Sequence, residues 1–525
     1  MQVPCRGSRV EPHDGRHRTM HAAAHRKVAV IGAGIIGVCI AYALRKRAFA
    51  VTLIDRDDPG RGCSFGNSGA LSAGSVAPLA VPGLLASLPR MLRDPEGPLY
   101  LPLHHLPQAL PWLVQFALSA RPAQVAKSAR ALAALHAGAI AAHVALAQEI
   151  GVPELIVARG HLHLYPDAAA QGKDATSWRL RKEYGYGFEK LDRAAILDLE
   201  PAIPARYGLG MFLRDHATVR NPFRYVHAIA RAYLARGGEL QRASVRRVRP
   251  GREGAWEVVT ERKTASFAHV VVAAGVWSRE LLDPLGVRLA LESQRGYHVQ
   301  FRGASPVSRT VVLADRKIFV TPMEEGLRVG GTVEIGGVRA PPNARRAALL
   351  ARIAHETFPD LDPAGASTWM GNRPCTPDSV PVIGAVGARP GLWVATGHGH
   401  LGLTESVNTA DLIAAALAHA MADRASAGAP REVRRWCAKV PCVAPAFAPR
   451  SRPRPARMRT DAQTARCDHR ADAALRSRSA GRWARRATIA RGRRAPRRHR
   501  AAQRARRDQP GAARADVNPA KSGIV

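Results

Sequence analysis

The stretch Lys27-Val-Ala-Val-Ile31-Gly32-Ala-Gly34-Ile-Ile-Gly37 decides the fold. A short β-branched run predicts a strand, the glycines a tight turn, and the apolar pattern from Ile35 to about Lys46 a helix. A second strand is expected over Ala50–Ile54, ending in Asp55, 18 residues past Gly37. Each glycine has its own task. Gly32 permits the turn, Gly34 lets a pyrophosphate approach the backbone at the helix N-terminus, and Gly37 lets helix and strand pack closely. Asp55 stands where a carboxylate can accept both ribose hydroxyls of an adenosine. Strand, glycine turn, helix, strand and acid in this order predict dinucleotide binding. One position departs from the pattern. The turn Arg47-Ala48-Phe49 has alanine where a left-handed glycine often stands, at a cost on the order of 1 kcal/mol if the turn is left-handed.

Outward from this unit, residues 27–425 alternate strand-like and helix-like patterns, as in an α/β protein. Residues 1–26 form a polar leader without periodicity, and no apolar core suggests a signal peptide. No stretch offers the roughly 20 uninterrupted apolar residues of a spanning helix. The chain has 525 residues, 78 Lys+Arg and 41 Asp+Glu, a net charge of +37. From Arg431 onward there are 27 basic and 6 acidic residues, a net of +21, which leaves +16 for the first 430. The basic residues of that tail are 25 Arg and only two Lys, Lys439 and Lys521. A GC-rich coding region read out of frame gives such a composition. We therefore expect 426–525 to be a disordered basic tail, frameshifted rather than selected, and nucleic acid to be an unlikely partner. The rival of another class is an inactive chain whose tail binds nucleic acid. Seven cysteines without a CxxC pair or zinc-finger spacing suggest free thiols and no metal site.

Further motifs follow in order. They are Arg61-Gly-Cys-Ser64-Phe-Gly-Asn67-Ser-Gly69-Ala, His269-Val-Val-Val-Ala-Ala-Gly275-Val-Trp277, Gly371-Asn-Arg373-Pro374-Cys-Thr376-Pro377-Asp378, and Thr396-Gly397-His398-Gly399-His400-Leu-Gly402-Leu-Thr404. Together they resemble the FAD-dependent D-amino-acid-oxidase type family, and within it the bacterial D-amino-acid dehydrogenase (small subunit) type, over roughly residues 27–425. The resemblance implies a discontinuous Rossmann-like FAD-binding domain (about 27–90, 195–290 and 365–425) and an α+β substrate-binding domain (about 91–194 and 291–364). It implies oxidative deamination of a D-amino acid, with electrons passed to a quinone or other acceptor. The rival within the class is a glycine, sarcosine or hydroxyproline type of secondary-amine oxidase. The small side chains and open backbone of Ser64, Asn67, Gly69, Gly275, Gly397, His398, Gly399, Gly402 and Thr404 suit a flavin. A helix expected over Glu405–Ala422 would face its N-terminus to negative charge on the reduced ring.

By the same resemblance, Arg373 supplies the carboxylate clamp, a task for which a guanidinium fork is suited. Tyr297 is expected to bond the carboxylate from the other side, and His298 to tune the protonation of the amine near neutral pH. His398 and His400 flank the flavin loop. In relatives with covalent flavin the attaching cysteine falls at the position of Gly371, so FAD is expected to be non-covalent and Cys375 a packed thiol. Strands near Gly160–Tyr165 and Leu327–Glu334 are expected to build a substrate sheet. Leu99–Leu118 reads as core helix plus loop, or as a membrane-facing surface on the inner side of the cytoplasmic membrane.

Overall fold

The computed structural model describes residues 26–82 and 97–426. The leader and the Arg-rich tail, with the expectations made for them, lie outside the described residues.

The strand Lys27–Ile31 lies inside a six-stranded sheet ordered Glu239–Arg242, Ala50–Asp55, Lys27–Ile31, His269–Val272, Leu392–Thr396, Val382–Ala385. All neighbours are parallel except the last pair. Parallel strands buried on both faces need continuous apolar runs, and His269–Val272 is buried at every position. On one face Val28, Val30 and Val271 pack against three helices, Ile35–Lys46, Pro222–Ala235 and the long Gly402–Ser426. On the other, Ala29, Ile31, Val270 and Val272 meet Val248, Trp256, Val258 and Phe267 of a three-stranded antiparallel sheet.

The second large sheet runs Ser367–Cys375, Glu292–Arg302, Gly326–Ile335, Ile318–Met323, Thr310–Leu313, His161–Tyr165, Leu209–Leu213, Glu189–Leu191. Both strands expected for a substrate sheet lie in it. The helix Ala344–Thr357 closes one face with Leu350 and Ile353. The boundaries read from the sequence cut across these layers. Leu209–Leu213, inside 195–290, and Ser367–Cys375, inside 365–425, are strands of this second sheet. The helix Ala139–Glu149, inside 91–194, contributes Leu146 and Ala147 to the core of the first. Strand pairing and packing, which join segments far apart in sequence, set these memberships.

Among the described residues one helical stretch, Pro122–Glu149, has the length and composition to cross a membrane. It turns at Gly138 (φ 67°) and contains the fully buried His136 and His143. Both halves pack against the helix Gly402–Ser426.

Candidate active site

The glycine turn has the geometry its sequence requires. Gly32 has φ 106°, and a Cβ there would come 2.4 Å from the Ala273 carbonyl oxygen. A Cβ on Gly37 would come 1.7 Å from the Gly32 carbonyl oxygen. Gly34 meets only Ser64 Oγ, at 3.6 Å, so its backbone stays open to the cavity. Asp55 accepts the Ala33 N–H at 2.6 Å and the Asp57 N–H at 3.0 Å. Burial pushes its carboxyl above the usual range, against the pull of these two donors. Lone pairs remain on both oxygens for hydroxyl donors.

These groups open into a cavity of ≈ 390 Å³. Gly32, Gly34, Asp55, Ser64, Asn67, Gly275, His398, Gly399 and Gly402 line it. Four other expected residues shape it from behind. Gly37 packs on the glycine turn. Gly69 (φ 70°) leaves no room for a Cβ, which would lie 2.3 Å from the Val219 carbonyl oxygen. Gly397 (φ 86°) packs on Thr376. Thr404 Oγ1 accepts the Ser72 N–H at 3.0 Å and ties that loop to the C-terminal helix. Ser64 Oγ accepts the Ile35 N–H at 2.9 Å, so it caps the first helix as well as lining the cavity.

Two thiols flank this region. Cys63 lines the cavity and donates to the Asn372 carbonyl at 2.8 Å. Cys375 is buried among Ala109, Trp112 and Ile335. Burial pushes their pKa values up to about 11 and about 12, so both are neutral thiols near pH 7. No group of three or more His, Cys, Asp or Glu among the described residues could hold a metal ion.

Arg373 stands on Ser367–Cys375, the edge strand of the second sheet, between Asn372 and Pro374, which line the cavity. Its Nη1 donates to the Thr332 carbonyl at 3.1 Å. Among the described residues no carboxylate pairs with it. Its guanidinium lies flat over Gly296 of the neighbouring strand, where a Cβ would be 2.0 Å from Cζ. Opposite Gly296 the ladder slips by one residue, and Thr332 takes φ 58°. A β-branched residue is rarely held there. The slip is a β-bulge, which re-aims the backbone around it.

Tyr297 does not face the cavity, contrary to the sequence reading. It lies in the core beneath the second sheet, donates to Glu334 Oε2 and accepts the Asn343 N–H at 3.0 Å. Arg295 reaches the same Glu334 at 3.0 Å. His298 faces the loop 64–69 that lines the cavity, here called the cofactor loop, with Nδ1 3.0 Å from the Gly66 carbonyl oxygen. Burial and the nearby Arg328 lower its pKa to about 3. It is neutral at physiological pH and cannot act there as the charge-changing group expected. His398 is buried and bonds Thr409 Oγ1 at 3.1 Å, whereas His400 is exposed.

Sequence reasoning missed several partners. Arg328 donates from Nη1 to the Phe65 and Asn67 carbonyls, at 3.2 and 2.7 Å, and holds the cofactor loop to the second sheet. His136 bridges the Ala73 carbonyl and Glu405 at 3.0 and 2.9 Å, at the start of the C-terminal helix. Trp369 lies on the same strand face as Arg373. None of these carries a local motif, and their partners are remote in sequence.

A dinucleotide cradle beside a second sheet, with an arginine on its edge strand that has no carboxylate partner among the described residues, is the layout of a flavoprotein oxidoreductase. Residues 27–416 match the family DAO, FAD dependent oxidoreductase, and the chain belongs to that family. It is 39% identical over 397 residues to a D-amino-acid oxidase of Bradyrhizobium diazoefficiens, covering 74% of this chain and 94% of the relative. It is 32% identical over 397 residues to a D-amino acid dehydrogenase of Allorhizobium ampelinum, covering 74% and 93%. Its fold is similar to the crystal structure of glycine oxidase from Bacillus cereus, with TM-score 0.59 and 17% identity over 75% of this chain and 95% of that one. The protein is an FAD-dependent oxidoreductase acting on amino-acid CH–NH2 donors. The cavity lining fits that cofactor: Asp55 would hold the ribose, Gly32–Gly34 would face the pyrophosphate, and His398–Gly402 with Gly275 would supply backbone to the ring.

Proposed function

We propose that the protein oxidises D-amino acids to imino acids, which hydrolyse to 2-oxo acids and ammonia. Bound FAD, held without a covalent link, supplies the two-electron acceptor for a hydride leaving the substrate α-carbon. The observation that carries the reading is Arg373, a partly buried guanidinium without a carboxylate partner among the described residues, beside the cofactor cavity. Such a group seats an α-carboxylate through parallel hydrogen bonds. The bulge at Thr332 and the bare surface of Gly296 hold it before substrate arrives. This limits the ordering that binding must impose. The D-configuration is supported by the names of the relatives that match most of the chain.

For the acceptor we propose a quinone or another carrier, in line with the relative named a dehydrogenase. The relative named an oxidase favours a second reading, with oxygen as acceptor. We also propose a peripheral contact with the inner face of the cytoplasmic membrane, supported by exposed apolar residues along Leu103–Leu118. A contact there would place a lipid-borne carrier within reach.

The test is anaerobic flavin bleaching against D-amino acids, L-amino acids and cyclic imino acids. D-amino acids should bleach best; bleaching by L- or cyclic substrates alone would overturn the reading. Arg373→Ala should raise the half-saturating concentration by about 10- to 100-fold, the range for losing hydrogen bonds to a charged group. Peroxide release in air, set against quinone reduction, separates the two acceptors.

A further inference from the structure

Trp369, Gly371 and Arg373 alternate along one strand, so they share a face. Their direct partners on Glu292–Arg302 are His298, Gly296 and Gln294. Gly371 and Gly296 are therefore opposed, and neither has a side chain. Two different groups fill the space they leave. A Cβ on Gly371 would come 2.0 Å from Trp369 Cη2, and a Cβ on Gly296 would come 2.0 Å from Arg373 Cζ. Cβ positions on directly opposed residues are about 4.5–5.5 Å apart. The indole edge and the guanidinium carbon are thus at most about 9.5 Å apart.

The indole is also fixed in place. It stacks on the neutral His298 ring, with centroids 5.4 Å apart and planes at 21°, and Phe65 lies 6.3 Å away. His298 is itself held by the Gly66 carbonyl. A Cβ on Gly66 would come 1.9 Å from the indole, so the cofactor loop closes on the ring from the other side. Ring, loop and strand thus hold the partly buried indole from three sides.

We propose that Trp369 is the specificity-determining residue of this site and restricts it to amino acids with compact side chains. The inference rests on the carboxylate seat proposed for Arg373. With the carboxylate on the guanidinium, the α-carbon lies one bond beyond the carboxylate carbon and the side chain starts at the next. The indole stands within that reach. A short side chain fits beside it, whereas a long or aromatic one must displace a ring packed between two glycines. Removing one methylene of mismatch in an apolar pocket changes discrimination by about 10- to 200-fold, and an indole is far larger than a methylene.

The test uses the FAD-loaded enzyme and carboxylates that are not oxidised, read by perturbation of the flavin spectrum. Propionate and 3-phenylpropionate are titrated into the wild type, Trp369→Ala and Trp369→Phe. The affinity for phenylpropionate relative to propionate should rise by about tenfold or more in Trp369→Ala and by less in Trp369→Phe. A ratio unchanged in both variants, with flavin content retained, overturns the inference. Failure of either carboxylate to bind any form overturns the seat and the inference with it. Failure of D-amino acids to bleach the wild type would instead sink the D-amino-acid reading alone, because the carboxylate titration does not depend on turnover.

Discussion

Ala48 has φ 58° in the turn between the first helix and the second strand. Its N–H donates to the Arg45 carbonyl at 3.0 Å, and the Phe49 N–H donates to that of Leu44 at 3.2 Å. The equivalent turn after Pro222–Ala235 has Gly237 at φ 76°. Alanine pays a steric cost there that glycine does not, partly offset by the greater freedom glycine gives the unfolded chain. Ala48→Gly should therefore stabilise the fold by about 0.5–1 kcal/mol in urea unfolding. A loss of stability would contradict this account of the turn. That position was legible in the sequence because it depends on a few neighbouring residues. Tyr297 was not. Simple alternation leaves its face undecided, and its burial rests on Glu334 and the bulge at Thr332, dozens of residues away. Trp369 was illegible for a related reason: its surroundings are made by glycines at 66 and 371.

The helix Leu106–Ser119 shows what one element can carry on two faces. Its inner residues Ala109 and Trp112 are buried, and Trp112 Nε1 donates to the Cys375 carbonyl at 3.0 Å, two residues from Arg373. Its outer side leaves Leu110 52% and Val114 51% exposed, with Leu103 just before it at 83%. Apolar residues at this helical spacing form a stripe that a bilayer interface could accept. The wild type should co-sediment with anionic lipid vesicles, and Leu110→Asp with Val114→Asp should reduce the bound fraction several-fold. Turnover with a soluble dye should stay unchanged. Equal sedimentation of both forms would remove the membrane reading. The sequence offered a core helix plus loop or a membrane-facing surface for this segment; the helix has a buried side and an exposed apolar one.

At the scale of the molecule, buried histidines work against stability in acid. Burial lowers the pKa of His143 and His161 from 6.5 to about 4 and, with Arg328, that of His298 to about 3; His216 also lies well below 6.5. Each is neutral when folded but takes up a proton near pH 6.5 when unfolded. The unfolded state thus binds more protons in this window. Stability should be full above about pH 6.5 and fall as the pH drops towards 4, by up to about 1.4 kcal/mol per unit for each group. Melting midpoints from pH 7.5 to 4.5 check this; a flat profile would contradict it. The dinucleotide half was legible because its motif spans fewer than thirty residues. The domain boundaries were not, because strands such as Ser367–Cys375 take their place from remote partners. The same remoteness bears on synthesis. Lys27–Ile31 pairs on one side with Ala50–Asp55 but on the other with His269–Val272, which in turn needs Leu392–Thr396. At ribosomal speeds of about 5–20 residues per second, the first strand waits on the order of ten to fifty seconds for its second neighbour. Throughout that interval the nascent chain presents an unpaired apolar strand edge, the kind of surface that chaperones hold and that aggregation exploits.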